Sequence, residues 1–315
     1  MTTVIVHIFD KICKRILTLS ARAVINLING LFGTDYPTTS TITYNWTEFE
    51  DKNLKRTLAD TIITINEQFS YHMEIQMTID EEIIFRVFEY GFGHAYRNRI
   101  CEKGRETLPF PEPKIIYLSE NDIEKVPEVY SVELDFGKQG SFTYQAPVTV
   151  LQSMTSEELT NRKMIILIPF FLLKLRSTLT QSRSETNKKA LKDLIENDIV
   201  NSIKTNLELG NISSEDGLAL YDMIQKLYWH IYANFEELED ITMMIDESLD
   251  LPSDQLFAQI EKLEIALNEK NSLISEKDSL IGEKDSIIGK KNIIIDSLTS
   301  ENEALKKQLE ELQNR

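Results

Sequence analysis

The chain has 315 residues, 42% of them hydrophobic, and a formal net charge of −17, which allows one substantial core with length left for an appendage. That charge excludes a general phosphate-backbone binder, because such binding comes from Lys and Arg displacing counterions. Cys13 and Cys101, the only cysteines, exclude a disulfide framework or zinc cluster and point to a reducing cytoplasm. No apolar run is long enough to span a bilayer. The opening Met1-Thr-Thr-Val-Ile-Val-His-Ile does not have the pattern of a signal peptide.

In chain order, residues 9–32 read as one helix, with Ile12, Ile16, Leu19, Ala23, Leu27 and Leu31 near helical spacing and Gly33 as its stop. Residues 41–46, 58–65 and 71–77 read as strands. Residues 81–99 look helical, with Ile84, Phe88 and Phe92 on one side, although Gly91 and Gly93 weaken the middle. A strand at 114–118 follows Pro109, Pro111 and Pro113, and 130–136 with 141–145 suggest a hairpin around Gly137 and Gly140. The apolar run 164–173 contains Pro169 and reads as a core strand entering a helix. From Leu172 to about Ile245 the pattern is helical, with breaks at 180–186 and 210–214, Ser213 as a cap and Asp216 three residues on. Tyr228 and Trp229 read as core. Helix, mixed strands, then helices argue for an α/β or α+β fold.

Two of these strands carry acids where a buried strand prefers apolar residues. In 71–77, Met73, Ile75 and Met77 alternate with His72, Glu74 and Gln76, so Glu74 and Gln76 share one face. If 58–65 pairs with it as a hairpin, Asp60 lies beside Glu74. Two carboxylates on a rigid sheet suit a hard divalent cation, since Mg²⁺ takes oxygen ligands and keeps several waters. Each residue also has a plainer reading. Asp60 can cap a turn or pair with Arg56 or Arg86, and Glu74 can belong to an ion pair on a solvated face. His72 and His94 have no ligand-spaced partner and read as surface or supporting groups. Arg86 and Tyr90, four apart on one helical face, can reach a phosphate or pack beside the core. Lys55, Arg56, Arg97, Arg99, Lys103 and Arg105 cluster near these strands in sequence and can supply a basic rim or be solvated surface charges, the latter being the reading that charge alone favours.

Asp60 followed by Glu74-Ile75-Gln76 resembles the PD-(D/E)XK nuclease superfamily, in the branch of PD-(D/E)XK family transposases or recombination-promoting nucleases, where Gln stands in place of the usual Lys. Residues Phe9-Asp10-Lys11-Ile12-Cys13-Lys14-Arg15, the Arg86…Tyr90 helix and Pro111-Glu-Pro-Lys-Ile-Ile-Tyr-Leu118 are similar to family segments. The resemblance covers about residues 5–250. It implies a restriction-endonuclease-like mixed sheet flanked by helices and a bacterial, cytoplasmic, Mg²⁺- or Mn²⁺-dependent endodeoxyribonuclease. Asp60, Glu74 and the main-chain carbonyl of Ile75 would hold the metal, with Asp10 as an additional acidic ligand. Gln76 would orient the attacking water or hydrogen-bond the phosphate, and Arg86, Tyr90 and Lys14 would contact DNA. A catalytically weak or inactive nuclease fold, serving as a DNA-binding or protein-interaction module, is the alternative that the net charge and Gln76 leave open.

The expected division is a nuclease-like domain over 1–250, with its core at about 5–178 and a helical layer at about 179–250, then a tail over 251–315. The tail repeats every seven residues. Ile260, Leu267, Ile274, Ile281, Ile288, Ile295, Asn302 and Leu309 share heptad position a, and Leu263, Lys270, Lys277, Lys284, Lys291, Leu298, Leu305 and Leu312 share d. An apolar seam every 3.5 residues lets helices supercoil, and Asn302 at an a position favours a parallel dimer in register, so residues 255–315 are expected to pair subunits. Lysines in the seam and Gly282 and Gly289, each costing about 1 kcal/mol in a helix, also fit a solitary charged helix.

Overall fold

A computed structural model describes residues 2–46, 61–232, 235, 238 and 241, and, in the tail, 277, 282, 284, 288–292, 295–303, 306 and 307. The chain divides into two compact units, Met1–Leu256 and Phe257–Arg315. Among the described residues no helix is long and apolar enough to cross a membrane.

The first unit opens with helices α1 (Thr2–Ile16) and α2 (Ala21–Phe32). Strands β1 (Ile42–Trp46), β2 (Thr61–Ile65) and β3 (Phe69–Gln76) lead to helix α3 (Ile83–Arg97). The hairpin β4 (Ile100–Glu102) and β5 (Arg105–Thr107) precedes β6 (Glu112–Tyr117), β7 (Val129–Asp135) and β8 (Ser141–Val150). Six strands form one mixed sheet in the order β1-β2-β3-β6-β8-β7. β3, β6 and β8 run parallel, and β1, β2 and β7 run antiparallel to their neighbours. Two parallel central strands require a crossover, and α3 with the β4–β5 hairpin supplies the one from β3 to β6.

Side-chain alternation divides the core by sheet face. Tyr71, Met73 and Ile75 of β3 and Ile116 of β6 join a large core with α1, α2 and the C-terminal helices. Ile115, Tyr144 and Ala146 on the other face pack under Ile83, Ile84 and Val87 of α3. Gly91 lets α3 come down onto this face: a Cβ there would lie 3.4 Å from Phe110 Cδ1 and from the Tyr144 hydroxyl. Helix α3 runs unbroken through Gly91 and Gly93.

The C-terminal part comprises α4 (Ser156–Asn161), a 3₁₀ segment (Ile165–Leu175), α5 (Arg176–Gln181), α6 (Glu185–Asp193), a π-helical turn (Leu194–Val200), α7 (Asn201–Glu208) and α8 (Ser214–Tyr232). Three expectations change here. The run 164–173 is a 3₁₀ segment and not a strand entering a helix. It is apolar on every side and buried from Ile165 to Leu173, so it has no period by which strand and helix differ. Residues 9–32 form two helices, with Ser20 as N-cap of α2 and Gly33, at φ 69°, as its left-handed stop. Trp229 is exposed while Tyr228 is fully buried.

The break at Ser20 is imposed from the far end of the unit. Asp216, nearly fully buried, accepts from Ser20 N (2.8 Å), Ser20 Oγ (2.5 Å) and Ser213 N (2.9 Å), while Asp216 N donates to Ser213 Oγ (3.1 Å). One carboxylate therefore secures the start of α8 and locks the cap of α2 to it. Asp216→Ala removes both functions and leaves the partly buried N–H groups of Ser20 and Ser213 without their acceptor. Its unfolding free energy in urea is expected to fall by about 2–4 kcal/mol, against about 1 kcal/mol for Ser213→Ala, which loses a single cap.

Candidate functional site

The β3 face beneath α3 carries Ser70, His72, Glu74 and Gln76. Helix α3 presents Arg86, Tyr90 and His94, with its C-cap Asn98, at four-residue spacing, so these residues share one stripe. Helix and strand run past each other such that the two sets meet pairwise. Arg86 Nη2 donates to Glu74 Oε1 (3.3 Å), the Tyr90 ring meets His72 edge-on (6.2 Å), and His94 Nε2 lies 3.1 Å from Ser70 Oγ. Ser70 Oγ continues to Thr64 Oγ1 on β2 (2.9 Å), and Asn45 Nδ2 of β1 donates to the same Thr64 oxygen (3.3 Å). A polar seam thus crosses an otherwise apolar helix–sheet interface.

Glu74 is fully buried. Its Oε1 also accepts from Gln76 Nε2 at 2.5 Å, so the two same-face residues anticipated from the strand period bond each other directly. Arg86 holds a second carboxylate, Nη1 to Asp80 Oδ2 at 2.6 Å. Burial opposes the Arg86 charge, but Glu74 and Asp80 more than offset it and its pKa lies above the ordinary value. The guanidinium is therefore fixed as a cation between two acids. Asp80, on the loop after β3, was not marked by any strand or helix period; its signal was its place six residues before Arg86, at the mouth of α3.

His72 and His94 are buried rather than surface groups. Burial, together with His94, pushes His72 from 6.5 down to about 4, and burial with the nearby Arg97 lowers His94. Both imidazoles are neutral near pH 7; His94 bonds Ser70, whereas the buried His72 meets Tyr90 by ring contact and neither of its nitrogens has a hydrogen-bond partner among the described residues.

Asp60 lies outside the described residues. The residue after it, Thr61, pairs with Met73 and Ile62 with His72 in antiparallel register. Ile75 lies between Glu74 and Gln76 with its side chain in the large core. Asp10 and Lys14 pair with each other on α1 (3.4 Å), a helix whose buried residues belong to the core on the Met73 side of β3. The structure thus brings together Glu74, Gln76, Arg86 and Tyr90, and sets Asp10 and Lys14 on the layer behind them. Among the described residues no group of three or more His, Cys, Asp or Glu side chains is placed to hold a metal ion. The oxygen chemistry of Glu74, the Ile75 carbonyl and Asp60 suits a hard cation that keeps its waters. No protein-family model, curated protein or solved structure matches this chain.

Two predictions test the seam in chelator. The unfolded chain takes up a proton on His72 below pH 6.5 that the folded protein refuses until about pH 4. Stability is therefore unaffected by this residue above 6.5 and falls as pH drops through that window, by roughly 3 kcal/mol in all. Urea midpoints against pH should show the fall in wild type and a flatter profile in His72→Phe. Arg86→Met leaves the buried Glu74 carboxylate uncompensated and should cost about 3 kcal/mol. Adding Glu74→Gln should recover most of that loss.

Proposed function

We propose that the chain is a metal-dependent DNA endonuclease of restriction-endonuclease-like architecture. The observation that supports this most is the fully buried Glu74 carboxylate, bonded by Gln76 and Arg86 on a central strand. A buried ion pair adds little stability over an apolar replacement of the same shape, so packing alone gives no reason for a charge there. The reading requires β2 to extend one residue before Thr61, so that Asp60 stands across from Glu74 in the register that pairs Thr61 with Met73.

In this reading Asp60, Glu74 and the Ile75 carbonyl hold the cation, which is Mg²⁺ or Mn²⁺. When bound, it supplies Lewis-acid polarisation of a phosphoryl oxygen and acidifies a water. Gln76 keeps Glu74 in one rotamer through its amide N–H and offers its amide to the attacking water or the phosphate. Arg86 supplies the fixed positive charge that a lysine at position 76 would otherwise bring, and Tyr90 packs between it and His94 on the stripe. Asp10 and Lys14, with α1 in the large core, have no part in the site.

Arg86 also favours a second reading. A guanidinium already shared between Glu74 and Asp80 neutralises the carboxylate that a cation needs, as expected of an inactive nuclease fold acting as a DNA-binding or protein-interaction module. Incubation of supercoiled plasmid with protein and Mg²⁺ or Mn²⁺ separates the two. The endonuclease reading expects nicking by wild type and a loss of at least about a hundredfold in Glu74→Ala and Asp60→Asn. If wild type does not nick, or nicks no faster than these variants, the module reading replaces it.

The tail is assigned, on the same footing, to a parallel coiled-coil dimer in a cytoplasmic protein. Within the second unit, residues 288–292 and 295–303 are helical, and seam residues Ile288, Ile295 and Leu298 are 53%, 57% and 53% exposed. Burying such residues against a second copy is what an a/d seam accomplishes. One site cuts one strand, so pairing two sites permits a duplex break. In sedimentation the full chain should run as a dimer and a chain ending at Asp250 as a monomer; equal subunit numbers would refute the assignment.

A further inference from the structure

The face of α3 turned away from the seam carries another pattern. Phe88, Phe92 and Tyr96 recur every four residues and form a column of rings along the helix. Phe88 and Phe92 are 6.5 Å apart with planes inclined by 21°, and Phe92 and Tyr96 are 6.2 Å apart at 25°. Phe110 backs the column from the strand side, 5.7 Å from Phe88 and 6.3 Å from Phe92. Phe92 is 44% and Tyr96 53% exposed, so two rings of the column face solvent.

The column runs into positive charge. The Arg99 guanidinium lies 4.8 Å from the centre of the Tyr96 ring, donates from Nη1 to the Tyr96 carbonyl (3.1 Å) and has Glu106 Oε2 4.0 Å from Nε, a long, half-exposed pairing that a phosphate can displace. Residues 97–107 contain Arg97, Arg99, Lys103 and Arg105 against Glu102 and Glu106, a local excess of cations on a chain with a net charge of −17. The turn of the β4–β5 hairpin, with Lys103 at φ 47° and Gly104 at φ 81°, presents two of these cations at a tight reversal. Rings at regular spacing beside Arg and Lys are complementary to unstacked bases on a phosphate chain. Base faces stack on the rings and phosphates meet the cations. A duplex keeps its base faces within its own stack and does not engage such a column.

We propose that the outer face of α3 and the β4–β5 hairpin form a docking strip for single-stranded DNA, carried on the helix whose inner face orders Glu74. The choice of DNA rests on the endonuclease reading of that site; the strip itself rests on the rings and cations. Fluorescence anisotropy of full-length protein in EDTA tests it without requiring cleavage, using labelled oligothymidylate, a duplex of the same length and oligouridylate. Wild type should bind oligothymidylate at least about tenfold more tightly than the duplex. Phe92→Ala with Tyr96→Ala should weaken binding by roughly tenfold or more. Arg99→Glu, a second variant at an exposed position, should weaken it and flatten its salt dependence. Absence of oligothymidylate binding, preference for duplex or oligouridylate, or wild-type affinity in both variants would overturn the proposal. Loss of dimer mass in the double variant would assign the face to a second copy and overturn it equally. Binding as expected by a protein that does not nick plasmid would support the strip and remove only the endonuclease reading.

Discussion

Strand β3 is buried on both faces, and the two faces carry opposite chemistry. Tyr71, Met73 and Ile75 enter the large apolar core, whereas Ser70, His72, Glu74 and Gln76 face α3, which bonds Ser70 through His94 and Glu74 through Arg86. An unpartnered charge in that position would cost several kcal/mol, so α3 must lie over β3 in one register only. The Arg86–Glu74, Tyr90–His72 and His94–Ser70 contacts define that register. The crossover to β6, the position of Asp80 and the direction of the aromatic column all follow from it.

A second constraint joins the two ends of the first unit. Asp216 ties the start of α8 to the start of α2 across 196 residues of sequence, which turns the large core into a closed layer behind β3. The sheet thereby has a large apolar back and a front on which a polar, charged seam runs beside a smaller apolar cluster. That asymmetry holds the Glu74 carboxylate in place, because the back is packed apolar side chains and the front is closed by α3.

Much of this was legible from local patterns. The alternation in β3 is a property of the strand period, which by itself places Glu74 and Gln76 on one face. The Ser213–Asp216 cap, the Gly33 stop and the β7–β8 hairpin around Gly137 and Gly140 follow equally from local rules. What failed were segments whose state depends on distant partners. The apolar run 164–173 has no period, and the break at Ser20 is stabilised by Asp216. Trp229 resembles a core residue by composition alone, and His72 and His94 looked isolated because their partners are on another element.

The sequence by itself determined which residues of each strand and helix share a face, since that depends only on the 2.0 and 3.6 periods. It therefore determined that Glu74 stands with Gln76 and Arg86 with Tyr90. Only the tertiary structure decided which faces meet: Arg86 between Glu74 and Asp80, the histidines buried beneath α3, and Phe92 and Tyr96 turned outward. The place of Arg86 comes from burying charge only where a partner waits, and the rest from which apolar faces pack, energies that exist only once distant elements are brought together.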